Sequence, residues 1–175
     1  KTARGMLSCC AGGKTPWNSW LAGEENIQGF FMERLPAGHP ETENHRRFGG
    51  NGRYGWANID SRFNFSKEPY EINRFGWVVE VDPLDPASTP RKHTALGRFK
   101  HESATPVINK DGRVVIYSGD DERYECVYRF VSKSKFDPAN RAANLDLLTE
   151  GTLSVARYNA DGTMDWLPLV FGSGP

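Results

Sequence analysis

The sequence predicts an all-β chain, and three observations carry that expectation. Four short runs are rich in β-branched or aromatic residues and are bounded by Gly, Pro, Asn or Asp: 77–81 (WVVEV), 113–117 (RVVIY), 126–131 (CVYRFV) and 152–158 (TLSVARY). Two Asp-Gly turns stand beside these runs, at 109–112 and 159–162, where Gly reaches positive φ without steric cost. Helical periodicity is weak everywhere. Hairpins at intervals are what propeller blades produce, although no strict repeat is visible.

Taken in order, the chain opens on a Cys- and Gly-containing stretch, 9–25, that carries no strong strand or helix pattern. Residues 29–73 are polar and Gly-rich with few strand runs, and a loop of that length inside a compact domain is usually functional or an insertion. The 77–81 strand follows, then a Pro-rich connection, 82–90, read as a rigid link between strands and not as a domain boundary. The 109–112 turn leads into 113–117. Residues 139–148 read as a turn of helix inside a loop and not as a packed element. The 159–162 turn returns the chain into 164–170, with Trp166 as its anchor.

Composition narrows the function classes. The chain has 175 residues, with 22 Lys+Arg balanced by 22 Asp+Glu, so it is neither a polybasic nucleic-acid binder nor an acidic tail. Hydrophobic residues at 38% and aromatics at 12% are enough to fill a core, which excludes a disordered chain. No apolar run approaches the ~18 residues of a membrane span. The first residues show no targeting segment and no initiating Met, so a processed chain or a piece of a larger one is expected. Cys9, Cys10 and Cys126 are an odd number, and adjacent Cys9 and Cys10 would bridge only with strain, so at least one thiol is free.

Three polar clusters carry the candidate chemistry. In the first, Cys10 precedes a Gly pair, a Pro16-Trp17 turn and the Glu24-Glu25 pair. Thiolate with carboxylate suits iron or zinc, whereas the plain alternative is a buried small cysteine and a solvated acidic pair. The second is Arg98-Phe99-Lys100-His101-Glu102. On an extended backbone His101 and Glu102 point to opposite faces, so one would be a ligand while the other packs, or the run is surface charge. The third is Gly119-Asp120-Asp121-Glu122-Arg123-Tyr124-Glu125, either an oxygen-rich calcium site or a solvated turn with Arg123 as its counter-charge. His39, His45 and His93 are isolated in polar loops and receive no role. No G-x-S-x-G turn supports a nucleophilic triad.

At these clusters the chain resembles the PhoX family of alkaline phosphatases. Cys10-Ala11-Gly12-Gly13-x-Thr15-Pro16-Trp17, continuing to Glu24-Glu25, resembles the family pattern C-A-G-G-x-T-P-W-G-T-W-x-x-C-E-E. Gly76-Trp77 through Asp82-Pro83 resembles H-G-W-x-x-E-x-D-P without its leading His, and Thr94-Ala95-Leu96-Gly97-Arg98-Phe99-x-His101-Glu102 resembles T-A-L-G-R-F-x-H-E. Segments at 117–123 and 150–157 match two further family stretches. Asn18 stands where Gly is usual, Gly23 in place of the family's second cysteine, Ser8-Cys9 where Asn precedes the metal cysteine, and Ser103 where Gly follows H-E.

The resemblance implies a six-bladed β-propeller, of which residues 1–175 would be an incomplete set of blades lacking those at both ends. It implies a polynuclear Fe3+–Ca2+ centre that hydrolyses phosphate monoesters, in a monomeric parent exported to the periplasm or beyond, with no nucleic-acid or membrane partner. Carried across, the metal ligands are Cys10, Glu25 and Glu102, with His101, Asp120, Asp121 and Arg123 as supporting or calcium-binding residues. A phosphate-binding Arg and another metal carboxylate, from the family's R-P-E segment, would lie beyond Pro175. The alternatives are a non-catalytic propeller module that binds carbohydrate or protein, and a phosphodiesterase built on the same centre.

Overall fold

Two antiparallel sheets, each with its strands in sequence order, make up the computed structural model, which describes residues 3–170 and 172–173. The expected bounds Lys1 and Pro175 lie outside the described residues. The first sheet contains β1 (Cys9–Lys14), β2 (Trp20–Glu24), β3 (Val78–Val81) and β4 (Arg91–His93). The second contains β5 (Thr105–Ile108), β6 (Arg113–Gly119), β7 (Val127–Lys135), β8 (Gly151–Tyr158) and β9 (Met164–Pro168). Helix is confined to α1 (Thr42–Phe48), α2 (Arg141–Asn144) and 3-10 turns. The all-β expectation holds, and the sequential four-strand order of the first sheet is that of a propeller blade.

The strands expected at 77–81, 113–117, 126–131, 152–158 and 164–170 form where the β-branched and aromatic residues lie. Both Asp-Gly turns close hairpins. Asn109 and Gly112 join β5 to β6, with Gly112 at φ 88°, and Asn159 and Gly162 join β8 to β9, with Gly162 at φ 83°. Trp166 pairs across from Ala156 and lies under the Arg129 guanidinium at 4.6 Å, half-buried.

β1, β2, β4 and β5 carry no clear local strand pattern, and two glycines explain why β1 and β2 escape it. A Cβ on Gly13 would lie 2.6 Å from the Ala104 carbonyl oxygen, and one on Gly23 would lie 2.4 Å from that of His101. These glycines lie where the first sheet meets the 101–106 segment that leads into the second. They are selected for close approach, against β propensity.

The main core fills the space between the sheets, with Trp17, Leu21, Val78, Ile116, Phe130 and Leu148 among its buried members. Residues 139–148 correct the expectation of an unpacked turn: α2 is short and capped by the Asn140 side chain, but Leu147 and Leu148 enter this core. The Pro-rich connection after β3 is clamped by a bidentate Arg141–Asp82 pair at 2.6 and 2.9 Å, and Arg141 also donates to the Trp17 carbonyl.

Residues 29–73 supply most of a second core, which Leu7, Ile27 and Phe75 complete. Phe31 is its centre, stacked on Phe65 at 5.3 Å and edge-on to Phe63 at the same distance, with Phe48, Ile72 and Phe75 around it. α1 was not foreseen because only His45 and Phe48 of its seven residues turn inward, too few for a periodic signal.

Candidate metal centre

Two adjacent glutamates at the end of β2 have opposite fates. Glu24 is fully buried. Its Oε1 accepts from Leu7 N and Lys92 Nζ, both at 2.8 Å, and its Oε2 accepts from Gly76 N at 3.0 Å and Trp77 N at 3.2 Å. Lys92 also donates to the Arg74 carbonyl, and its ammonium lies 4.3 Å from the Phe75 ring centroid. Glu24 therefore joins the first sheet to the aromatic core. Glu25, one residue on, turns to the other face, where Asn26 Nδ2 donates to it at 2.5 Å.

A second buried carboxylate fixes the turn between β1 and β2. Glu80 of β3 accepts from Trp17 Nε1 at 2.7 Å and from the Ser19 hydroxyl, and His93 Nε2 lies 2.7 Å from its other oxygen. Burial alone would raise the Glu80 pKa, but these hydrogen bonds outweigh it and hold the carboxyl below its ordinary range. Asn18 sits in this turn at φ 64°, the left-handed region that glycine enters freely, so the Gly-to-Asn departure falls on a position Asn tolerates.

The second sheet meets the first at His101. Its backbone N donates to the Glu24 carbonyl at 3.1 Å, and His101 forms an isolated antiparallel bridge with Asp120. The His101 ring is buried, between Ser118 Oγ at 2.9 Å and the Gly97 carbonyl at 3.0 Å, and packs on Phe99. Burial pushes its pKa down to about 4, so it sits neutral as a packing group. Glu102 takes the opposite direction, as extended backbone requires, and faces solvent.

These placements bring Glu25, Glu102 and Asp121 together, with carboxylate oxygens all within 4.8 Å of one another. Cys10 is exposed, not the buried small residue of the plain alternative; its thiol feels the Glu25 and Glu102 carboxylates but lies outside that group of three. A hydrogen bond with the Ala11 backbone favours the thiolate. Even so, desolvation, the Glu25 hydrogen bond and the negative Glu25 and Glu102 together hold the thiol above its ordinary pKa. Glu25 is raised as well, first by desolvation and then by Asp121 and Glu102. Groups that repel one another out of their charged forms are those a bound cation would stabilise, so the three carboxylates, with the Cys10 thiol close to Glu25, fit a metal.

The remaining candidates separate. The Asp120 carboxylate is fully buried and paired with Arg47. Burial raises its pKa, against Arg47 and Lys100, which lower it. Arg123 is exposed, and the counter-charges of the acidic turn are instead Arg47, on Asp120 and Glu125, and Lys100, on Glu122. That corrects the expectation of Arg123 in this role. Arg47 lies in α1 amid an anonymous polar stretch, and no local signal marks it. Arg98, Glu24 and Glu80 were legible only as members of motifs. A cleft of about 970 Å³ lined by Tyr70, Arg74, Trp77, Arg91 and Lys92 contains none of the clustered acids.

The family model described as alkaline phosphatase PhoX matches residues 1–174. Among solved structures, the chain is similar to that described as Pseudomonas fluorescens PhoX in complex with vanadate, a transition state analogue. Identity is 44% and the TM-score 0.86, over 97% of this chain and 31% of that one. The chain thus spans under a third of that relative's length. A comparison with curated proteins gives no match.

Proposed function

This chain belongs to the alkaline phosphatase PhoX family, and from that premise we propose that it supplies part of a phosphomonoester hydrolase whose centre holds iron and calcium. The observation that carries the reading is the meeting of Glu25, Glu102 and Asp121 beside the Cys10 thiol. Cys10 and Glu25 together suit a ferric ion, and Glu102 and Asp121 offer the oxygens that calcium prefers. When bound, such cations neutralise phosphate charge, acidify water and stabilise the departing oxygen of the ester.

The protein's own part is to fix the donors. Glu24 and His101 are buried beneath them and hold the ends of β2 and of the 98–102 segment in contact, so that Glu25 and Glu102 emerge side by side. Desolvation and neighbouring negative groups raise the Glu25 pKa and, against the Ala11 backbone hydrogen bond, that of Cys10, and a cation bound there would oppose those shifts, so its affinity rises with pH as these groups titrate. In the same proposal the parent protein is monomeric and exported to the periplasm or beyond.

The test uses the full parent chain. Iron and calcium analysis is paired with hydrolysis of a phosphate monoester at alkaline pH, before and after chelation. Cys10→Ser is expected to lose iron, and iron retained at full stoichiometry would overturn the role of Cys10. A parent without metal and without activity would instead favour a binding module for carbohydrate or protein, and a diester winning in competition would favour a phosphodiesterase.

A further inference from the structure

Arg47 reaches the acidic turn from residues 29–73, a segment outside every motif. We infer that Arg47 is a positioning residue for the cation centre: acting through Asp120, it holds the 120–126 turn so that Asp121 and Glu102 stay in place. The inference rests on the metal reading above.

Asp120 is the hub of this region. Its buried carboxylate receives the Arg47 guanidinium and, at 3.3 Å, Lys100 N. Its backbone N donates to the Cys126 carbonyl at 3.2 Å. It immediately precedes Asp121 in the chain, and it bridges His101, the residue before Glu102. Asp121 N donates to the Lys100 carbonyl at 3.1 Å. One carboxylate thus registers two clustered acids against each other.

Arg47 also lies 3.3 Å from Glu125, so a single guanidinium grips both ends of the turn. Both contacts come from one nitrogen, Nη2, so a lysine ammonium can replace them only as far as its reach allows. α1 is itself tied to the segment that ends in Glu102. The Arg98 guanidinium lies 4.1 Å from the Phe48 ring centroid and donates to the carbonyls of Phe75 and Ile72, both at 2.9 Å.

Without Arg47, Asp120 becomes a buried carboxylate that has lost its ion pair and keeps the longer bond from Lys100 N, beside a cluster of like charges. It must then take up a proton or rotate the turn toward water, and rotation moves Asp121. A plain counter-charge would do the reverse, because its removal strengthens the pull on a cation. The two roles give opposite signs.

Calcium titration by calorimetry of the full parent chain, after chelation, separates them. Arg47→Ala is expected to weaken calcium about 10–100-fold, the usual effect of losing an outer partner of a metal site. Arg47→Lys should recover part of that loss. Asp120→Asn should match Arg47→Ala, and the double variant should be no worse than either. Hydrogen exchange at the amides of 120–126 should quicken in Arg47→Ala. Unchanged or tighter calcium in Arg47→Ala overturns the inference. So does a loss in Asp120→Asn alone, which would make Asp120 a direct ligand. If Glu25→Gln/Glu102→Gln/Asp121→Asn titrates like the wild type, the metal reading fails and the inference with it, an outcome identified without any Arg47 variant.

Discussion

Replacing Glu24 by Gln is nearly isosteric, yet it should destabilise the protein severely, whereas Glu25→Gln next to it should not. Both oxygens of Glu24 accept, one from Leu7 N and Lys92 Nζ, the other from Gly76 N and Trp77 N. A glutamine has one acceptor oxygen, so its NH2 must face donors whichever way it is turned. If it faces Oε1's partners, a mostly buried ammonium keeps only the Arg74 carbonyl; if Oε2's, two backbone N–H groups lose their partner. Removing one member of a buried pair costs about 3–5 kcal/mol. With a urea slope of about 2 kcal/mol/M, that is a midpoint lowered by about 2 M. Glu25→Gln removes a negative charge from beside Glu102 and Asp121, so stability should stay within about 0.5 kcal/mol or rise. The assay is urea unfolding followed by tryptophan fluorescence, in parallel with calcium titration. Glu24→Gln should fail in the first, and Glu25→Gln only in the second. A Glu24→Gln protein that unfolds at the wild-type urea concentration would refute the reasoning, because the four accepted bonds would then contribute nothing.

Two other tests address the seam and the pH dependence. Gly23→Ala places a Cβ 2.4 Å from the His101 carbonyl oxygen, so the backbone beside Glu102 must shift; a loss of about 1–3 kcal/mol with weakened calcium is expected, and a neutral variant would mean the two backbones do not touch there. Glu80 is held below its ordinary pKa of 4.5 in the fold. Its contribution to stability is therefore fully present above about pH 4.5 and is lost as pH falls through the lower folded value. Urea midpoints measured from pH 7 to pH 3 should decline below about pH 4.5, and the decline should be shallower in Glu80→Gln; equal slopes would count against the network.

How much was legible depended on whether the signal was local. β6 and β7 announce themselves because Val114, Ile116 and Phe130 are both β-formers and core residues. β1 and β2 do not, because Gly13 and Gly23 answer to the neighbouring 101–106 segment. The pair Glu24-Glu25 was visible as two carboxylates, but which one enters the core follows from Lys92 and Gly76, some 50 to 70 residues away along the chain. Asp120 and Asp121 divide in the same manner, one toward Arg47 and the other toward Glu25 and Glu102.

By itself, the sequence determined the all-β class, the two Asp-Gly hairpins and the motifs that mark family membership, because those depend on side-chain type and short spacing. Only the tertiary structure decided which acids cluster, that Cys10 is exposed beside Glu25, and that Arg47 grips the acidic turn. The physical reason is that these choices balance burial against pairing. A carboxylate goes inward where distant backbone donors or a cation await it, and stays at the surface, among its own kind, where they do not.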